Sequence, residues 1–521
     1  MPADLPPIVL DGRFDDWANR PPALIDPADA GRGSLDFGLV VAESDASFLH
    51  LLVELGRTVN LQKLDGRVLL VLDADGSAGS GTTQSGLDGA DLLVTFSPPN
   101  EKAPEKPGEG VRVSRWADGA WSDLGAYGLD VSFAPTVAAN RAEIRLARGR
   151  MANGASTLDG EMVRGKFIFI DAAGVVRDET DVFTHRFASA VAKDAAPVSV
   201  PDPTSDPLAR AEGTVVRVVS WNVERGAMFL KDPDRFARVL RALAPDVILL
   251  EELTDKQSAE EVAAWLDARV PASVLAASAP AAGATTAASP GTGSNVTSTA
   301  STTTSDAPPW RVVFGAGGGN LRTAVATRLP LRGVDGLDRI GWRDERGTSH
   351  DVRFSTATVE VGGKPLLACA VHLKCCGRMN SDEDLTRLEE AQAVRAAVRA
   401  LVRSGRVAGV LVGGDYNLVG SAEPLELMTE DLDVDGTDLA VAQPLQLDRR
   451  TAATWEDPLQ PFTPSRLDYL VYSDATLEAR GGFVFDTRDL SPRWLERHGV
   501  RADDTTAASD HLPLVVDLAW R

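Results

Sequence analysis

A chain of 521 residues is too long for one hydrophobic core, and about 150 residues per domain sets an expectation of two to four units. Its 44% hydrophobic and 25% charged residues suit a globular protein, and no apolar run approaches the roughly 18 residues of a membrane-spanning helix. A formal charge of −22 argues against a broad basic face for non-specific nucleic-acid binding, although a divalent cation in an acidic cluster can still draw a phosphate to one place.

Residues 1–197 read as an all-β sandwich. Short alternating runs at Ser47–Leu55, Val68–Asp73, Asp91–Ser97, Val111–Trp116, Ala142–Leu146 and Lys166–Asp171 are separated by Gly, Pro and Asp turns. Asp73, Asp75, Asp88 and Asp91 carry the oxygen donors that a Ca²⁺ ion takes, and equally the composition of solvated turns. An EF-hand is excluded, because Gln84 falls where the bidentate Glu is needed. Trp116 and Trp121 offer either a sugar platform or sandwich packing. The opening IVLDGRFDDWA (Ile8–Ala18), with LDADGSAGSG (Leu72–Gly81) and GADLLVTF (Gly89–Phe96), resembles the family 9-like carbohydrate-binding modules. That resemblance implies the sandwich fold and a glycan as a partner.

No secretory signal is visible in Met1 to Leu24, which predicts either a cytoplasmic protein or one whose leader preceded this numbering. The Pro- and Asp-rich stretch 198–211 reads as a linker, and residues 212–521 as a second domain. Within it, 273–309 is almost wholly Ala, Ser, Thr, Gly and Pro, a composition that predicts a disordered insertion and favours an extracytoplasmic, secreted home. Of three cysteines, Cys369 falls in a predicted strand, and Cys375 and Cys376 are adjacent. They form neither a disulfide framework nor a zinc spacing, and neighbouring residues bridge only under strain.

From Val215 strands and helices alternate, the pattern of an α/β domain with mixed sheets. Val215–Ser220 is a β-branched strand, Asp232–Leu243 has helical periodicity, and Val247–Leu250 is a buried strand ending in Glu251 and Glu252. After the tract come Thr323–Leu331, Ser355–Val361, Leu366–Leu373, a helix from Asp382 to about Arg403, Val407–Asn417, Ser465–Ser473 and Ala508–Leu518.

The polar residues that end those runs form the candidate site: Asn222, Glu252, His372, Asp415, Asn417, Asp468, Asp510 and His511. Each alone is commonplace, and a lone strand-end His is more often structural. Together, in the segments SWNV, PDVILLEEL, TRLPL, HL, GGDYN, SRLDYL and SDHLP, they resemble the endonuclease/exonuclease/phosphatase (deoxyribonuclease I-like) family across Val215 to Arg521. The resemblance implies a four-layer αββα sandwich and a phosphoric ester hydrolase. Glu252, with Asn222 and Asp510, is expected to hold Mg²⁺ or Mn²⁺ through oxygen atoms and water. Asp415 orients or deprotonates the attacking water, Asn417 donates to a phosphate oxygen, and His511, steered by Asp468, bonds the phosphate or moves a proton. His372 is a candidate acid for the leaving group. Asp415 and Asn417, two apart on one extended segment, are expected to point the same way, and Glu251 to face the other side of its strand. GDYN stands where GDFN is commoner, and Glu251-Glu252 where many members have Gln-Glu.

The fold does not choose the substrate. Arg322 and Arg328 lie near the motifs and are candidate phosphate contacts. No dense basic cluster beside His372 suggests a polyphosphorylated ring, and no apolar hairpin suggests a membrane lipid. The leading expectation is a metal-dependent phosphodiesterase acting on DNA or RNA. The alternatives are a phosphodiesterase or phosphatase for lipid headgroups or small phosphoesters, and a glycan-binding protein with an idle catalytic domain.

Overall fold

The computed structural model describes residues 5–31, 33–103, 106–150, 156–187, 204–271, 308–344 and 346–521. Most of the tract expected to be disordered at 273–309 lies outside these residues, as do 198–203 of the expected linker.

Residues up to Arg186 build two antiparallel sheets. One has the order Leu24–Ile25, Leu39–Ser44, Phe48–Val59, Ala139–Ala147, Ser132–Ala134; the other runs Val176–Glu179, Met162–Asp171, Gly66–Asp73, Leu92–Phe96, Val111–Ala117, Ala120–Asp123, with Phe183–Arg186 also on Met162–Asp171. Period-2 alternation sends Leu49, Leu51, Leu70, Leu72, Val94, Phe96, Ile144 and Phe167 into one buried core between them. On the outer face Leu69, Val71, Ile168 and Ile170 are capped by Leu87 and Ala90 of a small hairpin. The Ile8–Ala18 motif has a structural role here. Glu143 accepts the Asp11 and Gly12 N–H groups at 3.0 and 2.6 Å and the Trp17 indole N–H at 2.9 Å, which ties the opening segment to the sandwich.

From Val216 the chain forms two six-stranded mixed sheets. The first has the order Arg311–Phe314, Leu321–Thr327, Val247–Thr254, Val216–Asn222, Leu514–Trp520, Leu477–Val484. The second runs Leu331–Gly333, Arg353–Val361, Lys364–His372, Gly409–Asp415, Asp468–Tyr472, Ala440–Val441. They pack face to face through Val218, Leu249, Val359, Ala368, Leu411, Leu470 and Val516. The opposite faces are covered by helices: Phe236, Leu240 and Leu266 on Trp221 and Leu250, and Ala391, Val394 and Val398 on Leu367, Cys369 and Val412. The near-continuous apolar runs of the central strands follow from this, since both faces are buried. The result is the four-layer αββα arrangement. No helix among the described residues is long and apolar enough to cross a membrane.

The two units share a seam rather than a bare linker. Leu10 N–H donates to the Arg450 carbonyl and Ala452 N–H to the Leu10 carbonyl, Val111 N–H donates to the Pro461 carbonyl, and Ala138 N–H donates to the Gly420 carbonyl.

Candidate active site

Two parallel strand pairs place the site. Asn222 lies beside Glu251 where Val216–Asn222 runs parallel to Val247–Thr254, and His372 lies beside Asp415 where Lys364–His372 runs parallel to Gly409–Asp415. A crossover between parallel strands returns the chain in the same direction, so strand ends collect at one edge. Asp468 opens the antiparallel strand facing Asp415, and Asp510 and His511 precede the strand Leu514–Trp520. Glu252, His372, Asp415, Asn417, Asp510 and His511 line one cleft of about 500 Å³.

The glycines of GGDYN are steric requirements. A Cβ on Gly414, at φ +143°, would stand 1.9 Å from the Val371 carbonyl oxygen, and one on Gly413 would stand 2.7 Å from Leu249 in the facing sheet. Glu252 owes its direction to a β-bulge: Glu251 and Glu252 together oppose only Thr323, between the pairs Leu250–Ala324 and Leu253–Arg322. Glu252 takes the left-handed φ of +58°, which for a non-glycine residue costs on the order of 1 kcal/mol or more. Its carboxylate accepts the Arg225 N–H at 3.0 Å and lies 3.6 Å from His372 Nε2. Glu251 turns inward, fully buried, and accepts the Ser220 hydroxyl at 3.1 Å.

Asp415 is the hub. Its Oδ2 accepts the Asn222 side-chain amide at 3.1 Å and lies 3.6 Å from His372 Nε2 and 3.7 Å from His511 Nε2. His511 Nδ1 and Asp468 Oδ2 are 2.8 Å apart, which fixes the ring so that Nε2 faces the cleft. The loop carrying Asp510 and His511 is held by Trp221, whose indole donates to the His511 carbonyl, and by Ser509, whose hydroxyl donates to the Asn222 carbonyl. Burial lifts the Asp415 carboxyl above its ordinary range, with Asp468 and Glu252 adding to the rise against the pull of His511. Burial disfavours charge on His511, yet Asp468, Asp415 and Asp510 outweigh it and hold the imidazole well above its usual pKa. His372 goes the other way. Burial, with Arg353 and His511 nearby, keeps it well below, so it is a neutral imidazole at ordinary pH.

Several expected placements differ. Asp415 ends its strand, and Asn417 sits at φ +50°, so the two do not share an extended segment; they meet instead because Asp415 Oδ1 accepts the Asn417 N–H at 2.9 Å. The Asn417 side-chain amide donates to the Leu373 carbonyl at 3.1 Å. Arg322 is at the site end of its strand, but its guanidinium donates to the Gly315 carbonyl and lies outside the cleft lining. Arg328 follows Thr327, which pairs with Val247 at the opposite end of the sheet from Glu252. It is engaged there with Asp267 and the Val270 carbonyl, so antiparallel pairing carries it away from the candidate site. In the sandwich, Asp73 pairs with Arg164, Asp75 accepts the Ser77 N–H and Ser80 hydroxyl, and Asp91 accepts the Ala74 N–H. Asp88 accepts the Thr83 hydroxyl at 2.7 Å, and among the described residues the four do not bring three ligand atoms within 4.8 Å of one another. Trp116 and Trp121 pack edge to face at 68° rather than as a flat platform. Cys369 is a buried thiol beside Thr356, and Cys375 and Cys376 are free thiols at the cleft.

Sequence reading missed Trp455, whose indole donates to Asp510 at 3.0 Å, because it ends no hydrophobic strand. It also missed the cleft residues supplied by the first unit, among them Asn60, Lys63 and Thr136, which no local pattern marks.

The donor set fits a hard divalent cation. Glu251, Glu252, Asp415, Asp468 and Asp510 crowd around two imidazoles, and Glu251 Oε2 and Asp468 Oδ1 are buried without a hydrogen-bond partner. The tightest group, Asp415, Asp468 and His511, has ligand atoms within 4.8 Å of one another. Asp468 Oδ2 is committed to orienting His511 through Nδ1, and the carboxylates of Glu252 and Asp510, each held by one donor, Arg225 N–H and the Trp455 indole, line the cleft.

The sequence profile of the Endonuclease/Exonuclease/phosphatase family matches residues 219–511. No curated protein sequence matches the chain. Among solved structures, the chain is similar to the human Nocturnin catalytic domain with bound sulfate, at 16% identity and TM-score 0.35, over 59% of this chain and 94% of that one. It is also similar to the 3′ phosphatase NExo from Neisseria bound to a product DNA hairpin, at 14% identity and TM-score 0.34, over 58% and 100% of the two chains. A third is D. rerio TDP2 with a single-strand DNA product, at 16% identity and TM-score 0.32, over 58% and 98%. The profile spans more than half the chain and covers each of the strand-end residues brought together here, so this protein belongs to the endonuclease/exonuclease/phosphatase family and is a metal-dependent phosphoric ester hydrolase.

Proposed function

We propose that the protein is a phosphodiesterase that hydrolyses nucleic-acid phosphodiesters by in-line attack of water, with Mg²⁺ or Mn²⁺ as its cofactor. The observation that carries this reading is the convergence of Asp415, the Asp468–His511 pair, His372 and Glu252 in one cleft. Asp415, positioned by the Asn222 amide, orients the attacking water and receives its proton. His511, held by Asp468, presents a charged N–H at Nε2 to a phosphate oxygen. His372 is neutral, so it acts as a hydrogen-bond donor to the phosphate or leaving oxygen rather than as a strong acid. Glu252, with Asp510 and Asn222, would hold the divalent ion, which supplies neutralisation of the phosphate and the departing oxygen.

The test is hydrolysis of linear DNA, RNA, bis-p-nitrophenyl phosphate, sphingomyelin and an inositol polyphosphate, with Mg²⁺, Mn²⁺, Ca²⁺ or EDTA. Cleavage of DNA or RNA that EDTA abolishes is the expected result. Activity confined to sphingomyelin or the inositol phosphate would move the substrate class there, and silence on every substrate would overturn the reading.

Metal binding has its own readout. At ten times its dissociation constant, an ion that binds only the folded protein adds about 1.4 kcal/mol of stability. Mg²⁺ or Mn²⁺ should therefore raise the melting temperature of the native protein and leave Glu252→Ala unmoved. An equal rise in the variant would remove Glu252 from the ligand set.

A further inference from the structure

We infer that the N-terminal sandwich forms one wall of the active-site cleft, and that Lys63 is a specificity-determining residue that meets a substrate phosphate adjacent to the scissile one. This rests on the phosphodiesterase reading above.

Lys63 ends a short 3-10 turn, Leu61–Lys63, whose flanks are fastened to the catalytic unit. Asn60 is 6% exposed, and its amide donates to the Thr136 carbonyl at 2.7 Å and to the Val419 carbonyl at 3.0 Å, two residues beyond Asn417. Gln62 is 3% exposed and accepts the Thr463 N–H at 2.9 Å. Buried amides satisfied across a seam hold a geometry, because an unmade bond there costs about 1–3 kcal/mol. The turn is thus fixed on two loops of the catalytic unit, and Lys63 joins the lining that includes Glu252, His372, Asp415 and His511.

The chemistry of that position is specific. Only Lys63 and Arg378 bring Lys or Arg side chains to the cleft lining among the described residues. Arg378 is engaged by Asp65. The Lys63 ammonium lies 4.9 Å from the Phe462 ring and makes no ion pair among the described residues. Burial pushes its pKa below the ordinary lysine range, against the opposing pull of Glu109. A half-buried cation without a carboxylate partner, in a cleft otherwise rich in carboxylates, is suited to an anion that arrives with the substrate.

About 500 Å³ falls within the roughly 300–1,000 Å³ of a site for one small ligand. The cleft has room for a scissile phosphate together with one neighbouring phosphate at Lys63.

The bland alternative is that Lys63 merely packs on Phe462, and kinetics of the full chain separate the two. Lys63→Met should raise KM for a short linear single-stranded oligonucleotide about tenfold, the worth of one charged hydrogen bond, with kcat within about twofold. Bis-p-nitrophenyl phosphate, which has no second phosphate, should be turned over as by the native protein, and Lys63→Arg should recover most of the loss. Equal losses on both substrates, or no loss on either, would overturn the role of Lys63. In each of those outcomes metal-dependent turnover of bis-p-nitrophenyl phosphate by the native protein keeps the phosphodiesterase reading intact. No such turnover of any diester would remove both.

Discussion

Asp415→Asn abolishes turnover, by a factor of about a thousand or more, while the melting temperature of the metal-free protein stays level or rises. Positioned acid–base groups contribute roughly 10² to 10⁴ in rate, and the asparagine can neither accept the proton of the attacking water nor repel Asp468 and Glu252. The carboxyl is 1% exposed, and burial lifts its pKa, so its charge is a burden on the fold. His511→Ala shows the same kinetic loss with a different stability. It leaves Asp468, itself 1% exposed, without its 2.8 Å partner, which costs about 1–3 kcal/mol. His511→Gln restores a donor to Asp468 and should recover stability without recovering rate. The pH dependence follows from the signs. His511 is raised above 6.5, so its contribution to stability is complete below pH 6.5 and is lost as pH climbs through the raised value. Asp415 is raised above 3.8, so its penalty grows from about that pH up to its own raised value, in the same direction. The metal-free protein should therefore melt at lower temperature as pH rises above 6.5, and both His511→Gln and Asp415→Asn should flatten that slope. Full activity in either variant would contradict the assigned roles.

The residues of the candidate site were legible because each lies at or beside an end of a hydrophobic run, and in stacked mixed sheets such ends gather at one edge. Asn222 and Glu252 were visible from two β-branched strands separated by a helix, and His372 and Asp415 from a second such pair. Periodicity does not report where a strand is bulged. The left-handed backbone of Glu252 depends on Thr323 being the lone residue opposite, which requires knowing the antiparallel partner. The same partner explains Arg328: proximity in sequence to the motif strand places it at the wrong end once the strand runs antiparallel. The cleft wall was invisible for a related reason. Asn60 meets Val419 across 359 residues of sequence, and such a contact leaves no local pattern in either segment. The Ile8–Ala18 motif was legible as a motif, but what it does in this fold depends on Glu143, more than a hundred residues away.

Arg217→Met destabilises the protein by about 3–5 kcal/mol and leaves the chemistry of the surviving folded fraction unchanged. Arg217 is 1% exposed, and all five of its N–H donors are used. Nε and Nη2 form a fork on the two Asp517 oxygens at 2.7 Å, and the remaining donors reach the carbonyls of Leu208, Ala209 and Leu243. Removing the guanidinium strands the Asp517 carboxylate, 3% exposed, and three backbone carbonyls, among them the two in the segment arriving from the first unit. The pair lies on adjacent antiparallel strands, five residues before Asn222, which at about 3.3 Å per residue is roughly 16 Å from the site. Chemical denaturation should show the loss as a lower midpoint, with KM and kcat per folded molecule kept within about twofold at a temperature where the variant is folded. Arg217→Met combined with Asp517→Leu removes both charges and should recover much of the stability, since replacing a buried pair by apolar side chains is often neutral or favourable. If the double variant were as unstable as the single one, the loss would lie in the unmet carbonyls of Leu208, Ala209 and Leu243 rather than in the stranded carboxylate. The two outcomes assign the strength of this joint either to the ion pair or to the anchoring of the incoming chain.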